Sequence, residues 1–294
     1  MSPISFVSQP GLGVQVLWLA LIIGNSRWHW GAFEGDGSEP APWGERWLGS
    51  WHTAHLSEAQ VQTLQRCHFA PAAWRQIDPL VALPPALIDR AATWQDPPEL
   101  WMASVVEAPV AWLASYPTLR CVTLPQVPLH NTYPTLGVDR ALALVGAGDR
   151  WGWPVLVIDC GTALTFTAGV DQRLIGGAIL PGLRSQFRAL HAHTDQLPNL
   201  ELDLNPWPQR WATDTAGAIA SGILHSQLAG IRDFIAAWEA TWPGGLIVLT
   251  GGDSVAIGEA IKKQTPALAQ RISIDPELGF WGLRVCRQQS LTAL

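Results

Sequence analysis

Lysine is almost absent from this chain. It has 294 residues and 18 basic side chains, and only Lys262 and Lys263 among these are lysines. A Walker-type phosphate loop needs Gly-Lys-Ser/Thr, and neither lysine follows a glycine, so that way of holding ATP is excluded. A basic excess is missing too. The 18 Lys and Arg stand against 24 Asp and Glu, a formal charge of −6, which is the wrong sign for a nucleic-acid partner. Charged residues make up 14% of the chain and hydrophobic ones 48%, which excludes a disordered chain. The four cysteines (Cys67, Cys121, Cys160, Cys286) form no C-x-x-C pair and fit no zinc ribbon or compact disulfide scaffold. They read as buried free thiols in a reducing compartment. Residues 14–23 are the most apolar run, but at about ten residues they reach half the ~20 needed to span a bilayer. No positive charge precedes them, so a signal peptide is not indicated. The expectation is a cytoplasmic protein with neither a membrane nor a nucleic-acid partner. Tryptophan, in contrast, is abundant: 17 against 2 tyrosines.

The length suits one large domain or two modest ones, at ~150 residues per domain. Residues 1–13 read as a tail. Residues 17–23 are apolar, Gly24-Asn25-Ser26 follow, and Trp28, Trp30 and Ala32 alternate: strand, tight turn, strand. Residues 34–51 contain Gly, Pro and four acidic residues and predict an exposed loop. Residues 57–68 predict a helix with Ser57 as N-cap and Val61, Leu64 and Cys67 along one side. Segments 77–83 and 101–106 predict strands or short helices, and 120–127 a strand. A helix is expected over 137–146, with Asp139 and Arg140 in its first turn, and a linker over 149–153. Residues 155–158 predict a strand running into Asp159-Cys160-Gly161-Thr162 and returning through Leu164, Phe166 and Ala168. A third strand covers 175–180, helices 184–192, 216–240 and 254–263, and a strand over 246–249 leads into Thr250-Gly251-Gly252.

A long repeat lies within this pattern. Placing Gly24 over Gly161 superposes 19–26 on 156–163, each an apolar strand, a glycine turn and an alternating strand, 137 residues apart. The expectation is a duplicated α/β domain with a cleft between the halves. Two glycine turns facing one cleft suit ATP, because glycine lets backbone N–H groups approach phosphate oxygens. Asn25, Ser26 and Thr162 add side-chain donors, and Asp159 is placed to ligate a cation beside the phosphates. Taken singly, each turn is also an ordinary hairpin, and Asp139 is also an ordinary acid at a helix start.

The residues 22–26, 133–140 (Tyr-Pro-Thr-Leu-Gly-Val-Asp-Arg), 159–163, 176–183, 194–198, 215–219 with Gly222, and 250–252 stand in the order and spacing of a known family. The chain resembles type III pantothenate kinases, of the acetate and sugar kinase/Hsp70/actin superfamily, from about residue 19 to 283, with low similarity at 34–115 and 199–210. The resemblance implies duplicated actin-like (ribonuclease H-like) α/β halves, 14–150 and 151–294, each a mixed sheet flanked by helices, with the active site in the cleft. It implies phosphorylation of pantothenate by ATP, with Asp139 as proton acceptor and Tyr133, Gly137, Val138, Asp139, Arg140 and Thr215 contacting pantothenate. ATP would lie against Ile22, Ile23, Gly24, Asn25, Ser26, Arg27, Trp28, His29 and Thr162. Asp159 would bind a monovalent cation (K+ or NH4+), with Mg2+ accompanying ATP, in a homodimer. The alternatives are a non-catalytic regulatory protein on the same fold, similar to Bvg accessory factors, or a kinase of another small hydroxy compound.

One position departs from the family. Its first phosphate motif begins with an aspartate, and here that position is Ile22, which can neither ligate a metal nor form a hydrogen bond through its side chain. With Asp139, Arg140, Asp159 and Thr162 all present, Mg2+ is expected to be held by ATP, water and the second-half carboxylate. His52-x-x-His55 and His191-x-His193 with Asp195 offer no full ligand set and read as solvated polar residues. Asp149-Arg150 reads as a surface turn. No Gly-x-Ser-x-Gly elbow is present.

Overall fold

The computed structural model describes residues 15–36, 45–90, 96–201 and 207–292, so the expected tail at 1–13 lies outside the described residues. Two five-stranded sheets carry the fold. In the first, β1 (Gln15–Ile23) lies antiparallel to β2 (Trp28–Asp36), which pairs antiparallel with β3 (Arg46–Thr53). On its other side β1 is parallel to β4 (Glu99–Ser104), and β4 is parallel to β5 (Leu119–Cys121). In the second, β6 (Val155–Cys160) lies antiparallel to β7 (Ala163–Val170), and β7 antiparallel to β8 (Arg173–Pro181). β6 is parallel to β9 (Leu246–Thr250), and β9 to β10 (Ile272–Ile274). The orders β3-β2-β1-β4-β5 and β10-β9-β6-β7-β8 are the same topology twice, so the repeat seen in the sequence is a structural duplication, as in the actin-like folds.

The helix after each fifth strand occupies the middle. α5 (Val138–Trp151) and α10 (Leu278–Thr292) pack between the sheets. Their approach is close enough that a Cβ on Gly146 would strike the Leu278 carbonyl and one on Gly282 the Leu142 carbonyl. Strand alternation divides the core accordingly. Trp18, Ala20, Val155 and Val157 face inward to α5 and α10, whereas Leu19, Leu21 and Ile23, like Leu156, Ile158 and Cys160, face the outer helices. The outer layer of the first half comprises α1 (Glu58–Arg66), α2 (Pro71–Ile77), α3 (Pro85–Arg90) and α4 (Ala108–Leu113). That of the second comprises α6 (Leu183–Ala192), α7 (Thr215–Thr241), α8 (Ser254–Gln264) and the short α9 (Pro266–Ala269).

Tryptophan fills the first half. Trp30 stacks on Trp51, with 6.0 Å between ring centroids, and meets Trp74 edge-on at 4.8 Å. On the inner face Trp18 stacks on Phe33 at 4.2 Å. These rings supply core area in a chain poor in other aromatics.

Local expectations hold for α1, whose Ser57 forms a capping box with Gln60, and for α6 to α8. Others are corrected. The predicted loop at 34–51 contains the end of β2 and most of β3; residues 37–44 lie outside the described residues. Pairing to β2, with a bulge between Ala32 and Phe33, overrides the loop-like composition. The predicted strand at 120–127 stops at Cys121. Pro125 then sits in a 3-10 turn, Leu124–Gln126, capped by Thr123. The supposed linker at 149–153 is helical to Trp151 and ends at Gly152, whose φ is 97°. Asp149 and Arg150, expected in a surface turn, pair with Arg284 at 3.0 Å and Asp275 at 3.4 Å. All four cysteines are free, but Cys67 is exposed because it caps the end of α1, and Cys121 is only half-buried.

Candidate active site

The two glycine turns meet. Gly24 N–H donates to the Arg27 carbonyl (3.0 Å) to close the first, and Gly161 N–H donates to the Ala163 carbonyl (3.1 Å) to close the second. Ser26 Oγ and Thr162 Oγ1 are hydrogen-bonded at 2.7 Å, so residues 136 apart in sequence line one crevice. The second turn is braced from behind. Gly182 N–H and Ser185 Oγ both donate to the Thr162 carbonyl, at 3.0 and 2.7 Å, which sets the positive end of α6 beside it. A Cβ on Gly182 would strike the Gly161 carbonyl, so this approach requires glycine.

A third turn packs against the second. Gly251 adopts φ 87°, and a Cβ there would strike Asp159 Oδ1. Asp253 N–H donates to the Cys160 carbonyl (2.9 Å), and its carboxylate meets Arg184 at 3.5 Å. Burial pushes the Asp253 carboxyl up, opposed first by Arg184 and then by Arg27. Sequence reasoning misses Arg184 and Asp253, although both adjoin matched motifs: Arg184 follows Pro181-Gly182-Leu183 and Asp253 follows Thr250-Gly251-Gly252.

The opposite wall is the start of α5. Asp139 Oδ1 accepts the Arg140 N–H at 2.8 Å, and a Cβ on Gly137 would strike the same oxygen, so the N-cap must be small. The buried Arg140 side chain reaches into the second half. Its Nε donates to Thr167 Oγ1 (3.1 Å), Nη2 to the Phe166 carbonyl (3.0 Å) and Nη1 to the Tyr133 hydroxyl (3.1 Å). Three of five guanidinium N–H groups are thereby fixed and two are left for a ligand. Gly177 makes room, since a Cβ there would collide with Arg140 Nη2. Tyr133 is 41% exposed at the rim. At the base of the crevice, burial pushes the Asp159 carboxyl up to about 7; the charge of Asp139 adds to this and Arg140 opposes it. Asp159 and Ile22 occupy equivalent places, each two residues before the turn glycine on the inner sheet face.

A family model for type III pantothenate kinases matches residues 18–237. A type III pantothenate kinase of Nostoc sp. is 41% identical over 273 residues, covering 91% of this chain and 93% of that protein. The chain belongs to the type III pantothenate kinase family. A second relative of that name, from Synechococcus sp., is 49% identical over 198 residues, 67% of this chain and 79% of its own length. Among solved structures, one described as a Baf family transcriptional activator from Campylobacter jejuni superposes with a TM-score of 0.53. It is 18% identical and covers 93% of this chain and 99% of its own, a likeness of fold.

Against this family pattern, the structure brings Gly24, Asn25, Ser26, Thr162, Asp159, Asp139, Arg140 and Tyr133 around one crevice. Val138 is buried in the inner core, and Trp28 is wholly buried in the outer core with Ile23. Ile22 packs its Cδ1 against Gly279 of α10. Thr215 is exposed at the start of α7, where Asp214 caps the helix by accepting the Gly217 N–H at 2.8 Å. Thr215 makes none of the side-chain bonds that join the other groups.

Three histidines flank the first turn. His29 Nδ1 and His52 Nδ1 lie 3.0 Å apart. Trp28 Nε1 donates to His55 Nδ1 (3.3 Å), which leaves His55 Nε2–H to donate to the Asn25 carbonyl at 3.1 Å. Burial, then His52, then Arg27 push the His29 imidazole down to about 4, and burial followed by Arg27 lowers His52. Among the described residues no three His, Cys, Asp or Glu side chains converge as a metal cage. His191, as expected, is exposed, its Nδ1 against the Leu197 carbonyl at 2.9 Å.

Proposed function

We propose that this chain transfers the γ-phosphate of ATP to the 4′-hydroxyl of pantothenate, the first step toward coenzyme A. The observation that carries this reading is the meeting of two glycine turns at the Ser26–Thr162 bond, with the Asp139 carboxylate on the facing wall. The turn N–H groups other than those of Gly24 and Gly161, which close the turns, and the Ser26 and Thr162 hydroxyls hold phosphate oxygens. Asp139 accepts the proton of the attacking hydroxyl, and most of the rate comes from alignment and charge neutralisation. Arg140 offers its two remaining N–H groups to the pantothenate carboxylate, and Tyr133 covers it at the rim. Gly137, Val138 and Thr215 are proposed as further pantothenate contacts. Ile22, Ile23, Arg27 and Trp28 are proposed to shape the ATP side, largely through the backbone, as their buried members require.

The Asp159 site fits a cation. Its carboxylate is half-buried beside that of Asp139 and makes no side-chain hydrogen bond among the described residues, so its ionised form calls for a positive charge. With no three-ligand cage among the described residues, such an ion would be held by Asp159 and would need further oxygen ligands from phosphate, backbone carbonyls or water. K+ or NH4+ at Asp159 and Mg2+ on the ATP phosphates would neutralise charge developing in the transfer.

Several organisational features belong to the same reading. The halves are 14–150 and 151–294, joined through α5 and α10. A homodimer forms over the open edge of the second sheet, where β8 exposes Ile175 and Ile179. A cytoplasmic location is part of the same proposal; no described helix is long and apolar enough to cross a membrane. The test is to incubate the purified protein with ATP, Mg2+, K+ and pantothenate. Phosphopantothenate is expected, and Asp139→Asn is expected to lower kcat by roughly 10²–10⁴-fold. Absence of product from the wild type, with Asp139→Asn indistinguishable from it, refutes the reading.

A further inference from the structure

The first half of the cleft has no carboxylate where the second has Asp159, and the positions beside Ile22 on the same face are histidines. In the β1–β2 ladder Ile22 lies opposite His29, and in the β2–β3 ladder His29 lies opposite His52. Directly opposed residues share a face, so Ile22, His29 and His52 form one row on the inner side of the sheet, at its turn end. The two rings meet edge-on with 4.8 Å between centroids, and their Nδ1 atoms are 3.0 Å apart. His29 Nε2 lies 3.8 Å from where a Cβ on Gly24 would stand, so the far side of the ring faces the phosphate turn.

Two neutral imidazoles can share an Nδ1···Nδ1 hydrogen bond only if one donates and the other accepts. The ring that accepts at Nδ1 carries its proton on Nε2. Both rings are held neutral at pH 7, since burial and the Arg27 charge oppose their protonation. His52 is the more exposed ring, so water can satisfy its Nε2 whichever role it takes, whereas His29 Nε2 stands beside Gly24 of the phosphate turn. A lone pair there would repel phosphate oxygens; an N–H would bind them. The same turn is also fixed from another side by the Trp28–His55–Asn25 relay, so its carbonyl is already satisfied and does not compete for the His29 proton.

We propose that His29 and His52 form a phosphate-recognition pair that stands where the family places an aspartate: His52 Nδ1–H donates to His29 Nδ1, and His29 Nε2–H donates to an ATP phosphate oxygen held by the Gly24-Asn25-Ser26 turn. His29 is the contact and His52 the positioning residue. Phosphate on this side of the cleft is then bound directly by N–H groups and Arg27 rather than through a metal-bound carboxylate. The inference rests on the reading of this cleft as an ATP site.

Calorimetric titration with the non-hydrolysable analogue AMPPNP tests it, with adenosine as a phosphate-free control. His29→Phe keeps a ring and removes the N–H; its affinity for AMPPNP is expected to fall roughly 10- to 100-fold, the range for a hydrogen bond to a charged group, with adenosine affinity unchanged. His52→Phe is expected to weaken AMPPNP binding less, and nitrogen NMR of its imidazoles to show a rise in the Nδ1–H tautomer of His29. On the wild type, which needs no variant to fold, the same NMR should find the His29 proton on Nε2 and its signal shifted by AMPPNP but not by adenosine. Unchanged AMPPNP affinity in His29→Phe, or a His29 proton on Nδ1 in the nucleotide complex, overturns the proposal. The phosphopantothenate assay separates the two readings. Product formation with unchanged AMPPNP affinity in His29→Phe refutes the pair alone, whereas no product with the expected affinity loss refutes the kinase and upholds the pair.

Discussion

Asp159→Asn should stabilise the ligand-free protein at pH 8, although the position lies in the proposed catalytic cleft. The wild-type carboxyl is pushed from 3.8 in the free side chain to about 7, by burial first and by Asp139 second. A group whose folded pKa lies above its unfolded one binds its proton more tightly when folded. Stability is therefore fully present below about pH 4 and is lost as pH rises through 7. At ~1.4 kcal/mol per unit, the ionised carboxylate costs the ligand-free fold about 4 kcal/mol above pH 8. Asparagine has nearly the same shape and no charge, but it buries an amide whose own unmet hydrogen bonds cost ~1–3 kcal/mol. The net expected gain is about 1–3 kcal/mol at pH 8, vanishing or reversing near pH 5. The assay is urea unfolding of wild type and variant at pH 5, 6, 7 and 8, without and with K+. The lowered His29 and His52 imidazoles act with the opposite sign below about pH 6.5, so the reading is the difference between the proteins: the variant's advantage should grow from pH 5 to 8 and shrink on adding K+, because an ion that binds only the folded state stabilises it. The variant should lose the Asp159 contribution to the slope and show no K+ effect. A variant with the same pH slope as the wild type, or one less stable than it at pH 8, would refute the account of Asp159 as a buried carboxylate awaiting a cation.

Further outcomes follow from the same geometry. Gly177→Ala forces a Cβ against Arg140 Nη2 and the Phe166 carbonyl; KM for pantothenate should rise at least tenfold in steady-state assays, while KM for ATP changes little. Tyr133→Phe removes one bond to Arg140 and should raise the pantothenate KM roughly 3- to 10-fold, the effect of about 1 kcal/mol, in steady-state assays. Trp30→Ala opens the centre of the first-half core, where Trp51, Trp74 and Phe69 converge on it, and should cost ~3–5 kcal/mol by chemical denaturation. Light scattering after size exclusion should give twice the 31.9 kDa chain mass for the wild type. Ile179→Glu, on the exposed β8 edge, should shift it toward the single-chain mass if that edge is the dimer contact.

The duplication and the turns at Gly24 and Gly161 are legible in the sequence because they depend on local chemistry. An apolar run ending in a glycine turn reads the same wherever it folds, and two copies 137 residues apart disclose the architecture. The scarcity of lysine likewise excludes a P-loop from composition alone, and the motif order points to the family. What the sequence leaves undecided depends on partners distant along the chain. β3 is hidden in a loop-like composition because its strand character comes from pairing to β2. α10 leaves no mark that places it, since its role is to meet α5 through glycines that only packing makes necessary. The buried tryptophans of the first half, such as Trp18, Trp28, Trp30, Trp51 and Trp74, acquire an explanation only as a core. Arg184 and Asp253 lie 69 residues apart and meet only when α6 and the turn before α8 are folded onto β6. Ile22 stands out in the sequence as a missing carboxylate, but only the ladder registers set His29 and His52 beside it. Local spacing fixes the kind of site. Which side chains share a face, and which protons they can exchange, is set by strand register and burial, and these exist only in the folded chain.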